Sequence, residues 1–106
     1  DYIFVDDVVE AYKTLAEAID RTEVRGNGFN FGPKAPHSVV EVVAELAVIM
    51  ERTDLEPMIL NQANGEIVHQ HLDSEKAARV LGWHPGSTFT DGLRRTVDWY
   101  QAYLSI

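Results

Sequence analysis

The sequence predicts an α/β fold with four helices and a few short strands, and three observations favour it. Segments rich in β-branched and aromatic residues alternate with segments of helical periodicity along the 106 residues. Each helical segment opens on a residue that can cap it. The extended segments are only three to six residues long, so helices should form most of the structure.

Four helices are predicted where apolar residues recur every three or four positions. Each starts at a residue whose side-chain oxygen can accept a free N–H group, and Ser38 has Glu41 at capping-box spacing. The predicted N-caps are Asp6, Ser38, Asp73 and Thr88. The predicted helices cover about 7–20, 38–52, 73–81 and 88–104.

The end of the third helix should organise the second half of the chain. Gly82 suits the left-handed conformation that ends a helix, and Pro85 prevents continuation. Trp83 can then fold back onto Ala77 or Val80. We therefore expect Trp83 to be buried.

Extended segments are predicted where β-forming residues cluster between turn signals. Phe29 to Phe31 follows a Gly-Asn-Gly turn and is expected to be a buried strand. The other extended segments are 1–5, 57–60 and 67–72.

Composition excludes several classes of function. The net charge of −8 repels nucleic acid and anionic lipid, so neither is an expected partner. No apolar run approaches the roughly 18 residues of a membrane span. The absence of Cys excludes disulfides and thiolate sites and fits a reducing compartment, from which we predict a cytoplasmic location. Because the sequence opens abruptly on a β-forming segment, we expect it to be a piece of a longer chain.

Two patterns resemble ligand sites. Gly26, Gly28 and Gly32 bracket a strand, whereas a dinucleotide loop follows one strand and opens a helix, so the turn interpretation is favoured. His69 and His71 would share one face of a strand, and with Glu66 or Asp73 they would make a conceivable zinc site. Exposed histidines are the commoner explanation, and Asp73 is needed as a cap. We predict no metal site.

Paired carboxylates at Asp6 and Asp7 are explained by a cap and the helix dipole rather than by catalysis. The residues themselves therefore identify no catalytic group.

A set of motifs in fixed order carries a family resemblance. The motifs are Asp1-Tyr2-Ile3-Phe4-Val5-Asp6-Asp7-Val8-Val9, Phe29-Asn30-Phe31-Gly32, Ser38-Val39-Val40-Glu41-Val42-Val43, Leu72-Asp73-Ser74-Glu75-Lys76-Ala77, Leu81-Gly82-Trp83-His84-Pro85, and Gly92-Leu93 with Trp99-Tyr100. Together they resemble the C-terminal part of the extended short-chain dehydrogenase/reductases, the NAD-dependent epimerases and dehydratases of nucleotide sugars.

The resemblance implies a parent enzyme with a Rossmann domain that holds NAD and a C-terminal part that binds the nucleotide sugar. Residues 1–106 would be this C-terminal substrate-binding portion, with strand 29–32 belonging to the parent's Rossmann sheet. The family's glycine-rich loop and Tyr-x-x-x-Lys pair are absent from this sequence. We therefore expect no catalytic or NAD-binding residue and no activity from this chain alone. The implied partners are the missing N-terminal Rossmann portion and a nucleotide sugar, and a homodimer is left open.

The resemblance assigns substrate contacts to Asn64, Gly65 and Glu66. The Gly65-Glu66-Ile67 loop and Leu72-Asp73 resemble most the 4,6-dehydratases of CDP- or GDP-sugars. An Arg that often contacts the diphosphate in the family is replaced here by Ala63. An exposed loop carboxylate without a ligand explains Glu66 equally well.

Two other functions stay open at this point. One is an autonomous protein-interaction module that binds a partner through exposed aromatic residues of the last helix. The other is a small metal-dependent hydrolase that uses His69, His71 and Glu66.

Overall fold

A computed structural model of the chain describes residues 1–105 and contains the four predicted helices. They are α1 (Val5–Glu17), α2 (Val39–Ile49), α3 (Glu75–Leu81) and α4 (Phe89–Leu104). Within the described residues, no helix has both the length and the apolar character needed to cross a membrane.

The expected short strands are not confirmed, because residues 1–105 contain no strand. A strand exists only when it pairs with a neighbour, and the four extended segments do not pair with one another. Among the described residues, no backbone–backbone hydrogen bond reaches Phe29, Asn30 or Phe31. The segment expected to enter a sheet is therefore left with free backbone groups on this chain.

The N-terminus of α1 differs from the prediction. The helix begins at Val5, and Phe4 is the N-cap with no side-chain hydrogen bond, so the assignment of Asp6 as the cap was wrong. The Phe4 carbonyl oxygen accepts the Asp7 N–H at 3.0 Å. The Asp6 carboxylate instead pairs with Arg95 of α4, a partner that lies far away in the sequence.

The starts of α2 and α4 confirm the capping predictions. The Ser38 hydroxyl accepts the Glu41 N–H at 3.2 Å, and the Ser38 N–H donates to the Glu41 carboxylate at 2.6 Å. This backbone hydrogen bond lowers the pKa of Glu41 below its usual value. The Thr88 hydroxyl likewise accepts the Asp91 N–H at 3.2 Å.

The predicted end of α3 is also confirmed. Gly82 has a φ of +67°, and its N–H donates to the Ala78 carbonyl at 3.0 Å, which is the αL type of helix stop. Trp83 is only 5% exposed and packs against Ala77. Its ring meets Phe31 edge-on with the ring centroids 5.1 Å apart.

The core lies between α1 and α3. Ala11 of α1, Ala77 of α3 and Trp83 are its buried members. Partly buried side chains surround them, namely Ile3, Phe29, Phe31 and Leu81. Two small alanines allow the helices to approach the indole closely, so Trp83 is the largest side chain in this core.

The helices α2 and α4 pack against each other. The Thr90 hydroxyl of α4 donates to the Glu45 carboxylate of α2 at 2.7 Å. On another side of α4, a Cβ added to Gly92 would lie 3.1 Å from the Cβ of Phe4, so glycine permits the close approach of the N-terminal segment.

The molecule is more open than a self-contained domain of its length. Its radius of gyration is 17.1 Å, whereas a compact domain of this length would have about 13 Å. Its accessible surface is 8227 Å², which is about 2,300 Å² more than a folded monomer of this mass exposes. Every residue from 51 to 73 is exposed, and α2 contains no buried residue. Much apolar surface is therefore uncovered.

Candidate functional site

The predicted substrate-contact residues lie in an irregular, exposed segment. Gly65 has a φ of +78° and forms a turn, with Asn64 and Glu66 on either side of it. Glu66 and residues 60–63 line an open depression of about 500 Å³. Asn64 and Gly65 do not line it. Only Glu66 of the predicted trio thus lines a concave surface.

The conceivable zinc ligands are not assembled in the structure. Within residues 1–105, no group of three or more His, Asp or Glu side chains is arranged to hold a metal ion. The N-cap of α3 is Ser74, so the assignment of Asp73 as the N-cap was wrong by one residue. The Asp73 carboxylate nevertheless accepts the Glu75 N–H at 2.8 Å and so pairs one free donor at the start of the helix. The geometry therefore gives no support to a metal-dependent hydrolase.

A larger groove, of about 800 Å³, runs between the N-terminal segment, the loop at 33–37 and the start of α4. Sequence reasoning did not find it, because its walls come from segments far apart in the chain. The one local signal was Gly92, the small residue that lets Phe4 approach α4. A groove of this volume is large enough for a drug-sized ligand or a peptide segment.

One wall of the groove is aromatic. The His37 imidazole stacks on the Phe89 ring with centroids 3.8 Å apart, and Tyr2 meets Phe89 edge-on at 6.4 Å. The Arg95 guanidinium covers the Phe4 ring at 4.4 Å from its centroid. This wall offers flat ring surfaces on which a planar or apolar group could pack.

The charged groups that line the groove already have partners. The buried Asp7 carboxylate accepts the backbone N–H groups of Gly86 at 2.9 Å and Ser87 at 3.2 Å. The ammonium group of Lys34 donates to the Glu75 carboxylate, and this hydrogen bond raises the pKa of Lys34. These contacts fix the loops at the rim of the groove. The groove is suited to binding and supplies no evident acid–base pair.

The groove and the predicted loop are linked by one contact. The Asp1 carboxylate, which lines the groove, accepts the Leu72 N–H at 2.5 Å. Leu72 follows Glu66 by six positions. The contact ties the end of the exposed loop to the N-terminal segment.

Comparisons with known proteins give a consistent set of relatives, which are UDP- and dTDP-glucose epimerases and 4,6-dehydratases. The chain is 31% identical to a UDP-glucose 4-epimerase of Mycolicibacterium smegmatis over 101 residues, covering 95% of this chain and 31% of the relative. It is 30% identical to a dTDP-glucose 4,6-dehydratase of Neisseria meningitidis, covering 94% of this chain and 30% of the relative. A dTDP-glucose 4,6-dehydratase of Haemophilus influenzae is 32% identical, with 94% and 32% covered.

The chain thus spans about a third of the length of these curated relatives. No protein-family model matches it, and no solved structure matches it significantly.

Proposed function

We propose that the chain is the substrate-binding C-terminal part of an NAD-dependent nucleotide-sugar epimerase or dehydratase. In this proposal NAD and the Tyr-x-x-x-Lys pair belong to a Rossmann portion elsewhere in a longer polypeptide. The chain alone then binds no NAD and is inactive. Its role is to hold the nucleotide sugar against the cofactor.

One observation carries the proposal. The sequence matches nucleotide-sugar enzymes over 94–95% of its own length but over only 30–32% of theirs. The names of these relatives favour UDP- or dTDP-glucose over the CDP- or GDP-sugars that the resemblance predicted. We therefore propose UDP- and dTDP-sugars as the first substrates to test.

The open surface of the chain supports a missing portion. Residues 29–32 have aromatic side chains packed on the Trp83 core, while Phe29, Asn30 and Phe31 form no backbone–backbone hydrogen bonds within residues 1–105. In a complete enzyme, these groups would pair with a neighbouring strand, as buried backbone groups require. We propose that this segment becomes a strand of the Rossmann sheet.

The test of this function begins with the residues encoded before Asp1. A glycine-rich loop and a Tyr-x-x-x-Lys pair are expected there. Calorimetry should then detect saturable NAD binding by the longer polypeptide and none by residues 1–106. Saturable NAD binding by the isolated chain, or a reading frame that does not continue upstream, would contradict the proposal.

Within this function, Asn64, Gly65 and Glu66 are proposed to contact the substrate, with Glu66 as a hydrogen-bond acceptor for sugar hydroxyl groups. Glu66→Gln in the longer enzyme should raise the KM for the nucleotide sugar by about tenfold with kcat little changed, because a charge-assisted hydrogen bond is weakened. Steady-state kinetics on UDP- and dTDP-glucose measures both constants. Glu56→Gln is the matched control, since Glu56 is an exposed carboxylate of the same segment. Equal KM and kcat values for the two variants would mean that Glu66 does not contact the substrate.

An autonomous protein-interaction module is the second candidate, and one observation favours it. Trp99, Tyr100 and Tyr103 form an exposed aromatic cluster on α4, in which Trp99 stacks on Tyr103 with centroids 5.0 Å apart. Aromatic residues of this kind are enriched at protein interfaces. The upstream reading frame separates the candidates, because an autonomous module needs no Rossmann portion.

A further inference from the structure

We propose that one face of α1 is the surface on which the rest of the polypeptide packs. This face consists of Val5, Val9, Tyr12 and Ala16 and is called the outer stripe. The proposal rests on the proposed function and adds to it the helix face that joins the two portions of the enzyme.

The helix α1 has two apolar faces. The inner face carries Ala11, which is 1% exposed in the core, together with the partly buried Val8 and Leu15. The outer stripe has the spacing i, i+4, i+7, i+11, so its members lie in one row. Val5, Val9 and Tyr12 are 62%, 50% and 72% exposed.

Apart from the buried Asp7, the charged residues of α1 lie on a third face. Asp6, Glu10, Lys13 and Glu17 repeat with the same spacing one position later, and Lys13 bonds Glu10 at 2.7 Å. A helix on the surface of a finished domain usually turns its polar face to water opposite the core. Because α1 turns an apolar row to water beside its charged row, its sequence fits a helix packed between two layers.

The remainder of the polypeptide is the occupant that the observations favour. The relatives have about two thirds of their length outside the matched region. The surplus surface of about 2,300 Å² exceeds the roughly 800 Å² that each partner buries in a standard interface. Phe29 to Phe31, which form no backbone–backbone hydrogen bonds within residues 1–105, are a second feature of the chain that a further part of the polypeptide would complete.

A second copy of this chain is a poorer occupant. Three of the four residues in the charged row are acidic, and each chain carries a net charge of −8. Two outer stripes in contact would bring these acidic rows together, which costs free energy through like-charge repulsion.

The test uses the longer polypeptide with the photoreactive amino acid p-benzoylphenylalanine at position 12. Tyr12 is exposed on this chain, so the substitution leaves the inner packing of α1 intact, and circular dichroism checks the helix content. Irradiation should give an intrachain cross-link from position 12 to a peptide outside residues 1–106, identified by mass spectrometry. The same probe at Lys13, in the charged row, should give much less of this product.

Two results would overturn the proposal. A cross-linked dimer on a denaturing gel would identify a second copy as the occupant. An intrachain cross-link no more abundant from position 12 than from position 13 would show that the outer stripe is not the contact surface. NAD binding, measured on the same sample, keeps this result separate from the proposed function. Bound NAD without the intrachain cross-link rejects the outer stripe alone, whereas the cross-link without bound NAD supports the stripe and contradicts the enzyme.

Discussion

Trp83→Ala should lower the free energy of unfolding of the chain by about 3–5 kcal/mol, the cost of truncating a large buried aromatic residue. Trp83 is 5% exposed and lies against Ala11 and Ala77, two residues too small to collapse into the space it would leave. The edge-on contact with the Phe31 ring would be lost as well. No other side chain in the core can replace this volume.

Urea denaturation followed by circular dichroism at 222 nm measures this loss. Trp99→Ala is the matched control, because Trp99 is 57% exposed on α4 and its truncation leaves no internal cavity. The control should lose far less stability than Trp83→Ala. Similar midpoints for the two variants would mean that Trp83 does not hold the core together.

The parts of the fold that could be predicted from the sequence are those determined by neighbouring residues. The capping box of Ser38 and Glu41 spans three positions, and the left-handed stop at Gly82 depends on the adjacent turn of α3. Such interactions form within one helical turn, so the residue pattern alone indicates them. The burial of Trp83 was predicted for the same reason, since it follows from the stop at Gly82.

The parts that were missed depend on distant partners. A strand at Phe29–Phe31 requires a neighbouring strand, and the described residues provide none. The start of α1 was misplaced because Asp6 pairs with Arg95 instead of capping the helix. The groove was missed for the same reason, since three separate segments form its walls. The residue pattern of one segment does not indicate which other segment will pack against it in the folded chain.

Asp7→Ala should lower the free energy of unfolding of the chain by about 2–4 kcal/mol. The structural role of Asp7 could not be predicted from the sequence, because its hydrogen-bond partners lie far away in the chain. The buried carboxylate accepts the N–H groups of the exposed Gly86 and the half-buried Ser87, which have no other partner among the hydrogen bonds of the described residues. Hydrogen bonds to a charged group contribute about 1.5–3 kcal/mol each, and water at the exposed Gly86 offsets part of the loss. Asp7→Asn should fall between Asp7→Ala and the wild type, because its amide keeps one acceptor oxygen but turns N–H donors towards the second backbone N–H.

Asp6→Ala is the matched control, since it removes the adjacent carboxylate of the same helical turn. The Asp6–Arg95 ion pair is exposed, so its loss should cost no more than about 1 kcal/mol. Denaturation midpoints rank the three variants, and hydrogen exchange at the Gly86 and Ser87 amides reports the loop directly. Both amides should exchange faster in Asp7→Ala and at the wild-type rate in Asp6→Ala. If Asp6→Ala proved the more damaging change, the helix dipole rather than the link from α1 to the 86–87 loop would be the main role of this acidic pair.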